Sequence, residues 1–318
     1  MILELAAPAS LPLGLVHYHG QPALLALTLQ HPPIQLAIQA GRRLHITGPR
    51  AHIAHTHATR YLTHHKLPQT GEIELELAIP AYMGLSGDVM LGLAVAQALA
   101  WAHKLPDDLP ARAAALGMGS EHAGQLWGYE QGGLLLTGTQ AGEGELPPII
   151  HRAEIAHPER DAWAFIFHFP FPPDNTPDTL ETDQLRALFE KTELPPGGVA
   201  EEIFAAVAAD DIAGFGRGLM SVQETFPQNL SPESRAVLDL IREHGAYAWG
   251  QSLTGYGLWG LVKGGDASRV LRKSISDHVG FFGGRVMATI PDNRGASFVE
   301  KKGELEKGDP IRPRPGVS

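Results

Sequence analysis

Cysteine is absent from this chain of 318 residues. Its absence excludes disulfide scaffolds, thiolate zinc sites, iron–sulfur clusters and cysteine nucleophiles. Basic residues are also few, 25 Lys and Arg against 35 Asp and Glu, so the net charge is −10 with neutral histidines. Because the phosphate backbone of a nucleic acid requires a basic face, we expect no nucleic acid as a partner.

Long apolar runs are missing as well. The most apolar segment, Val89 to Trp101, has about 13 residues, whereas a membrane-spanning helix needs roughly 20. The segment Met1 to Ala7 has no basic residue and contains Glu4, so we predict no secretory signal. These observations predict a cytoplasmic protein without a membrane partner.

Hydrophobic residues make up 43% of the chain, which is enough for a large core, and the length suggests about two domains. Strict alternation over Glu72–Ile79 predicts a half-buried strand. The spacing in Arg50–Lys66 predicts a surface helix, and Val89–Lys104 is apolar almost all round, which predicts a buried helix. Short strands are expected at Ile2–Ala6 and Ala23–Leu29.

The second half of the sequence has the order β-α-β-β-α-β with extra helices, which is the order of a ferredoxin-like unit. Strands are predicted at 162–169, 246–251, 256–262 and 285–290, and helices at 181–191, 199–226, 232–244 and 266–279. We therefore predict an α+β protein with domains at 1–157 and 158–298. The charged segment 299–318 is expected to be a disordered tail.

A glycine-bearing loop, Pro80 to Asp88, lies between the alternating strand and the buried helix. Free N–H groups at a helix N-terminus form a generic anion site. The loop has neither the Walker A pattern nor the dinucleotide-binding fingerprint. The alternative is a tight turn in which Ser86 or Asp88 caps the helix.

Four short motifs in order resemble those of one family. They are Pro80 with Gly84-Leu-Ser-Gly87, Tyr129-Glu-Gln-Gly-Gly133, Ala248-Trp-Gly-Gln-Ser252, and Pro291-Asp-Asn-Arg-Gly-Ala296. Together they resemble the β-ribofuranosylaminobenzene 5′-phosphate synthases of the GHMP kinase superfamily. The resemblance implies a GHMP-type two-domain fold, with an N-terminal domain like domain 2 of ribosomal protein S5 and a C-terminal ferredoxin-like domain.

The resemblance also implies a reaction. The family joins 5-phosphoribosyl diphosphate to 4-aminobenzoate or 4-hydroxybenzoate, with loss of carbon dioxide and diphosphate, in methanopterin biosynthesis. Mg²⁺ is the expected ion, and a homodimer is the expected assembly. Two alternatives remain open, a GHMP-type ATP-dependent small-molecule kinase and a divergent non-catalytic paralogue.

Carried onto this sequence, the resemblance supplies candidate site residues. Glu130 and His17 are the candidate catalytic residues, and Asp88 is also the candidate metal ligand. The candidate substrate- and phosphate-binding residues are Gly84, Ser86, Gly87, Asp88, Gly133, Gln251, Ser252, Asn293 and Arg294. For Glu130 and Arg294 an exposed structural position is the alternative, and for Gln251 and Ser252 a turn between two strands.

The sequence departs from the family pattern at several basic positions. Tyr82 replaces a histidine, and Ser10 and Pro12 replace an arginine and a histidine. An acidic chain that has lost these residues must replace them or change its ligand. A run of histidines from His52 to His65 lacks any nearby carboxylate, so we expect it to form a solvated helix face.

Overall fold

The computed structural model describes residues 1–106, 108–142, 144–157, 161–173, 176–177, 180–191, 194–226, 230–280 and 283–303. Two sheets and the helices around them make up most of this part of the chain. This mixture confirms the predicted α+β class.

The first sheet is built around a long antiparallel hairpin. Its strands, β1 (Ile2–Tyr18) and β2 (Gln21–Gln39), are much longer than the short strands predicted, because bulges let β1 continue past its prolines and glycine. The other strands are β3 (Leu44–Thr47), β4 (Gly71–Leu77), β5 (Leu134–Gly138), β6 (Ile149–Ala153) and β11 (Ser297–Lys301). Their order is β11-β1-β2-β4-β3, with β5 between β2 and β6.

The helices of the first half are α1 (Ala51–His64), α2 (Gly87–Ala102), α3 (Leu109–Leu116) and α4 (Ala123–Gln131). As predicted, α2 is buried almost all round, and it packs on α1, β1 and β2. Burial on every face fixes the first turn of α2 in the core. The end of the loop that leads into α2 is therefore fixed by the core.

The second sheet is antiparallel and has the order β10-β7-β9-β8. Its strands are β7 (Trp163–Phe169), β8 (Ala248–Gln251), β9 (Leu258–Lys263) and β10 (Arg285–Thr289). The helices are α5 (Leu180–Lys191), α6 (Val199–Ala208), α7 (Ile212–Glu224), α8 (Pro232–Glu243) and α9 (Asp266–Val279). The predicted β-α-β-β-α-β order with extra helices is present.

Two predictions about this half are wrong. The single helix expected at 199–226 is two helices, because Asp210 adopts φ 55° and Asp211 takes the N-cap position of α7. A short polar side chain tolerates the left-handed conformation and favours a turn. The expected tail begins with a strand, since β11 pairs with β1 from Ala6↔Ser297 to Ile2↔Lys301.

Residues 304–318 of the expected tail lie outside the described residues. The division at 157/158 stays a prediction. Within the described ranges, no helix is long and apolar enough to cross a lipid bilayer.

Candidate functional site

The glycine-bearing loop joins β4 to the buried first turn of α2. Two residues bend it through the left-handed region, Gly84 with φ 75° and Ser86 with φ 56°. Ser86 takes the N-cap position, but its side chain makes no capping hydrogen bond, and Asp88 lies inside the helix. The alternative of a tight turn with Ser86 at the N-cap is confirmed for the position of Ser86. Its side chain does not cap the helix, so the N–H groups of this turn are available to another acceptor.

That acceptor is the carboxylate of Glu181, in the first turn of α5. The N–H of Gly84 donates to Glu181 Oε1 at 2.5 Å, and the N–H of Gly87 donates to Oε2 at 2.9 Å. Only 4% of Glu181 is exposed. Burial raises the pKa of Glu181 to about 7, although these N–H donors favour its ionised form. We call the two N–H groups the anion cradle.

Gln184, one turn further along α5, binds a second loop. Its Oε1 accepts a hydrogen bond from the N–H of Gly255 at 2.5 Å. This second loop lies against the first, because the N–H of Tyr256 donates to the carbonyl of Tyr82 at 2.8 Å. One face of α5 therefore holds the backbone donors of two adjoining loops.

Asp88 connects the cradle to basic groups. His57 Nε2 lies 3.1 Å from Asp88 Oδ1, and Arg50 lies 3.7 Å from the same oxygen. Burial alone would raise the pKa of Asp88, but the hydrogen bond with His57 and the nearby Arg50 and His122 lower it. Asp88 is therefore a carboxylate that holds a histidine and an arginine beside the loop.

The expected solvated histidine face on α1 is confirmed for His52, His55 and His64, which are exposed, but His57 is an exception. His57 is 7% exposed and points towards α2. Its carboxylate partner lies 31 residues away in the sequence, so a search of neighbouring residues does not find it. His57 and Arg50 are the basic groups that the sequence analysis missed.

A polar cleft opens between the start of α2, the short 3₁₀ turn Ser120–His122, α4 and α5. Its lining includes Ser86, Asp88, His122, Gln125, Glu181 and Thr254. Gln125 and Thr254 are almost fully buried, and their side-chain polar atoms make no hydrogen bond. Burial lowers the pKa of His122, which favours its neutral form.

An apolar cleft adjoins the polar one, and Leu185 of α5 lines both. The apolar cleft is lined mainly by Leu15, Leu24, Leu188, Phe189, Val222 and Phe226. Each cleft has room for about one water molecule. Side chains of α5 fill both clefts in this arrangement.

Five of the sequence-predicted residues come together at the cradle. Gly84 and Gly87 form it, Ser86 and Asp88 lie beside them in the chain, and buried Ser252 lies against Gly84. Gln251, the last residue of β8, is half-buried and is the neighbour of Ser252 in the chain. The roles assigned to these residues stay predictions.

Other predicted residues form a separate group, and most of them make hydrogen bonds to other parts of the chain. Arg112 donates to Glu130 at 2.9 Å, and the side chain of Asn293 bonds both the N–H and the carbonyl of Ile155. The N–H of Gly133 donates to the carbonyl of Asp292 at 2.6 Å. Glu130 lies in the last turn of α4, a helix that the sequence analysis did not predict, while Arg294 is exposed.

His17 lies far along β1 from the cradle. The N–H of Ser10 donates to the carbonyl of Leu85 in the loop, and His17 is seven positions further along the strand than Ser10. At about 3.3 Å per residue this is roughly 20 Å. The structure does not bring His17 to the cradle, and its catalytic role stays a prediction.

The chain was compared with known families and structures. No family model matches it, and no curated protein sequence matches it. Among solved structures, it is similar to a homoserine kinase from Cytophaga hutchinsonii, with TM-score 0.66, 18% identity, and 94% of this chain and 97% of that chain covered.

A 4-(cytidine 5′-diphospho)-2C-methyl-D-erythritol kinase gives a TM-score of 0.61 at 23% identity, covering 91% of this chain and 98% of that chain. A mevalonate diphosphate decarboxylase from Staphylococcus aureus gives 0.60 at 15% identity, with 94% and 99% covered. These likenesses show that the chain has the α+β fold of these enzymes, which is the GHMP-kinase-like fold.

Proposed function

We propose that the protein is a transferase of the β-ribofuranosylaminobenzene 5′-phosphate synthase type. It would join 5-phosphoribosyl diphosphate to 4-aminobenzoate or 4-hydroxybenzoate. The observation that carries this proposal is the anion cradle, in which the N–H groups of Gly84 and Gly87 hold both oxygens of a buried carboxylate. Donors arranged for a carboxylate also suit a phosphate group.

Basic groups beside the cradle support the same proposal. Arg50 supplies positive charge near the loop, and the ring of His57 contacts Asp88 beside it. They would take the place of the basic residues that Ser10 and Pro12 do not provide. Gln125 and Thr254, buried without hydrogen bonds, would be satisfied by the polar atoms of a phosphoribosyl group.

The apolar cleft suits an aromatic acceptor. In the proposed reaction a ring carbon of the benzoate attacks the anomeric carbon, and the C–O bond to diphosphate breaks with its electron pair leaving on oxygen. The carboxyl group then departs as carbon dioxide, and its bonding pair restores the aromatic ring. The cradle would bind the negative charge that develops on the leaving group.

Mg²⁺ remains a proposal, and Asp88 fits it poorly as a ligand. Oδ1 of Asp88 already faces His57 and Arg50, and within the described ranges no group of three His, Asp or Glu could hold a metal. Mg²⁺ is commonly bound through substrate phosphates and only one or two carboxylates. No step is therefore assigned to the metal.

The proposal predicts release of both carbon dioxide and diphosphate when the protein meets 5-phosphoribosyl diphosphate, Mg²⁺ and either benzoate. Asp88→Asn should reduce kcat/KM at least tenfold, mainly by raising KM, because the amide no longer attracts Arg50 by charge and no longer offers His57 a carboxylate. Asp266→Asn is the matched control, since Asp266 also lies in the first turn of a helix and faces an arginine, but it is 88% exposed.

The kinase alternative predicts a different outcome of the same assay. Transfer of the γ-phosphate of ATP to a small alcohol, without loss of carbon dioxide, would favour it. Turnover of neither substrate pair would overturn both enzyme proposals and leave the non-catalytic paralogue.

A further inference from the structure

Helix α5 occupies both parts of the candidate site. Its first turn places Glu181 on the cradle, and Gln184 binds the N–H of Gly255. Leu185, Leu188 and Phe189 of the same helix line the apolar cleft. A single element therefore fills the position of an anion and the position next to it where an apolar group would bind.

We propose that α5 is an autoinhibitory helix, which must leave the cradle before a phosphate-bearing ligand can bind there. The inference rests on the anion-binding part of the proposed function. A phosphate and the carboxylate of Glu181 require the same N–H groups, and they repel each other when both are charged. Binding of a phosphate-bearing ligand to the cradle and docking of α5 on the cradle are thus mutually exclusive.

A second observation supports a ligand at this position besides the helix N-terminus. Gln125 and Thr254 line the cleft beside Glu181, and each is at least 98% buried with its polar atoms unpaired. Docking of α5 satisfies the cradle but leaves these groups without partners. A larger polar ligand would satisfy both sets of groups, which is why the docked helix can be displaced.

Outside the two clefts, α5 is also held at its surface side. Arg186 donates to Glu121 at 2.9 Å, but the side chain of Arg186 is 53% exposed. Such a half-exposed pair contributes little to stability. Undocking therefore breaks the hydrogen bonds of Glu181 and Gln184 and exposes the buried side chain of Leu185.

The test is the affinity of the full-length protein for inorganic diphosphate, measured by calorimetry at pH 8. Glu181→Gln should bind at least tenfold more tightly than the wild type. The amide removes the negative charge and turns an NH₂ group towards an N–H donor, so α5 docks less and the available fraction of cradle rises. Asp183→Asn removes one charge from an exposed position on the same helix and should change the affinity less than twofold.

Hydrogen exchange gives a readout that does not depend on a variant. Saturating diphosphate should speed the exchange of α5 amides in the wild type and leave α8 unchanged. Equal affinities of Glu181→Gln and Asp183→Asn would overturn the inference, and so would failure of a folded Glu181→Gln protein to bind diphosphate. Glu181→Ala, expected to bind at least as tightly as Glu181→Gln, keeps the test valid if the amide variant does not fold.

The two proposals can fail separately. Tighter diphosphate binding by Glu181→Gln without any carbon dioxide release would overturn the proposed transfer and leave the role of α5 intact. Carbon dioxide release by the wild type, together with an unchanged diphosphate affinity of Glu181→Gln, would overturn the role of α5 and leave the proposed transfer intact.

Discussion

Replacing Gly84 with alanine is expected to lower the free energy of unfolding by more than about 3 kcal/mol. An added Cβ would lie 2.0 Å from the carbonyl oxygen of Thr254 and 2.4 Å from the Cβ of Ser252. Both contacts are too close for any real side chain, so the two loops would have to separate. The φ of 75° adds strain of its own, since left-handed backbone disfavours a Cβ.

Gly20 provides a control with the same backbone conformation. Its φ is 78°, and an added Cβ would meet nothing within 4 Å. Gly20→Ala should therefore cost only the conformational strain, about 1 kcal/mol. Urea unfolding of the two variants measures the difference, and equal losses would show that the second loop does not close on Gly84.

Stability should also depend on pH through Glu181. Its pKa is raised by burial from 4.5 to about 7 in the folded protein. Between these values the folded state binds a proton that the unfolded state releases, so stability is greatest below pH 4.5 and falls as the pH rises to about 7. The loss amounts to about 3 kcal/mol.

The difference in free energy of unfolding between wild type and Glu181→Gln isolates this effect. Between acid and neutral pH, the wild type should lose about 3 kcal/mol of stability relative to Glu181→Gln. Asp88 and His122 line the same cleft and the charge of Arg50 acts on Glu181, but these groups are present in both proteins and their own effects cancel in the difference. The Asp183→Asn difference should be flat over the same range, and a flat difference for Glu181→Gln would contradict burial of this carboxylate.

Local patterns predicted most of the elements. Alternation of Glu and apolar residues predicted β4, and the apolar run predicted α2 as a buried helix. The ends of α8 carry local signals of this kind: Ser231 Oγ accepts from the N–H of Ser234 at 3.1 Å, Pro232 is the first helical residue, and Gly245 lies just past the end. Because such signals depend only on neighbouring residues, they can be recognised in a single sequence.

Elements that depend on distant pairing could not be predicted in this way. Strand β11 carries Phe298 and Val299 on exposed positions and has no core-facing pattern of its own. It forms because the edge of β1 offers unpaired N–H and carbonyl groups. The sequence of β11 alone does not encode that edge.

The candidate site divides in the same manner. Glycines before a buried helix predicted where an anion would bind, and the structure places donors there. Glu181 lies 94 residues beyond Gly87, and His57 lies 31 residues before Asp88. Their contacts arise only when α5 and α1 pack against the start of α2, and no spacing in the sequence records that packing.

The most direct measurement is the pH dependence of the backbone amide signals of Gly84 and Gly87 in the wild-type protein. If the carboxylate of Glu181 sits on these two N–H groups, both signals should titrate together with a midpoint of about 7. The same titration should vanish in Glu181→Gln and persist in Asp183→Asn. Amide signals that do not move between about pH 5 and about pH 8, a range that contains the expected midpoint, would contradict the account of the anion cradle.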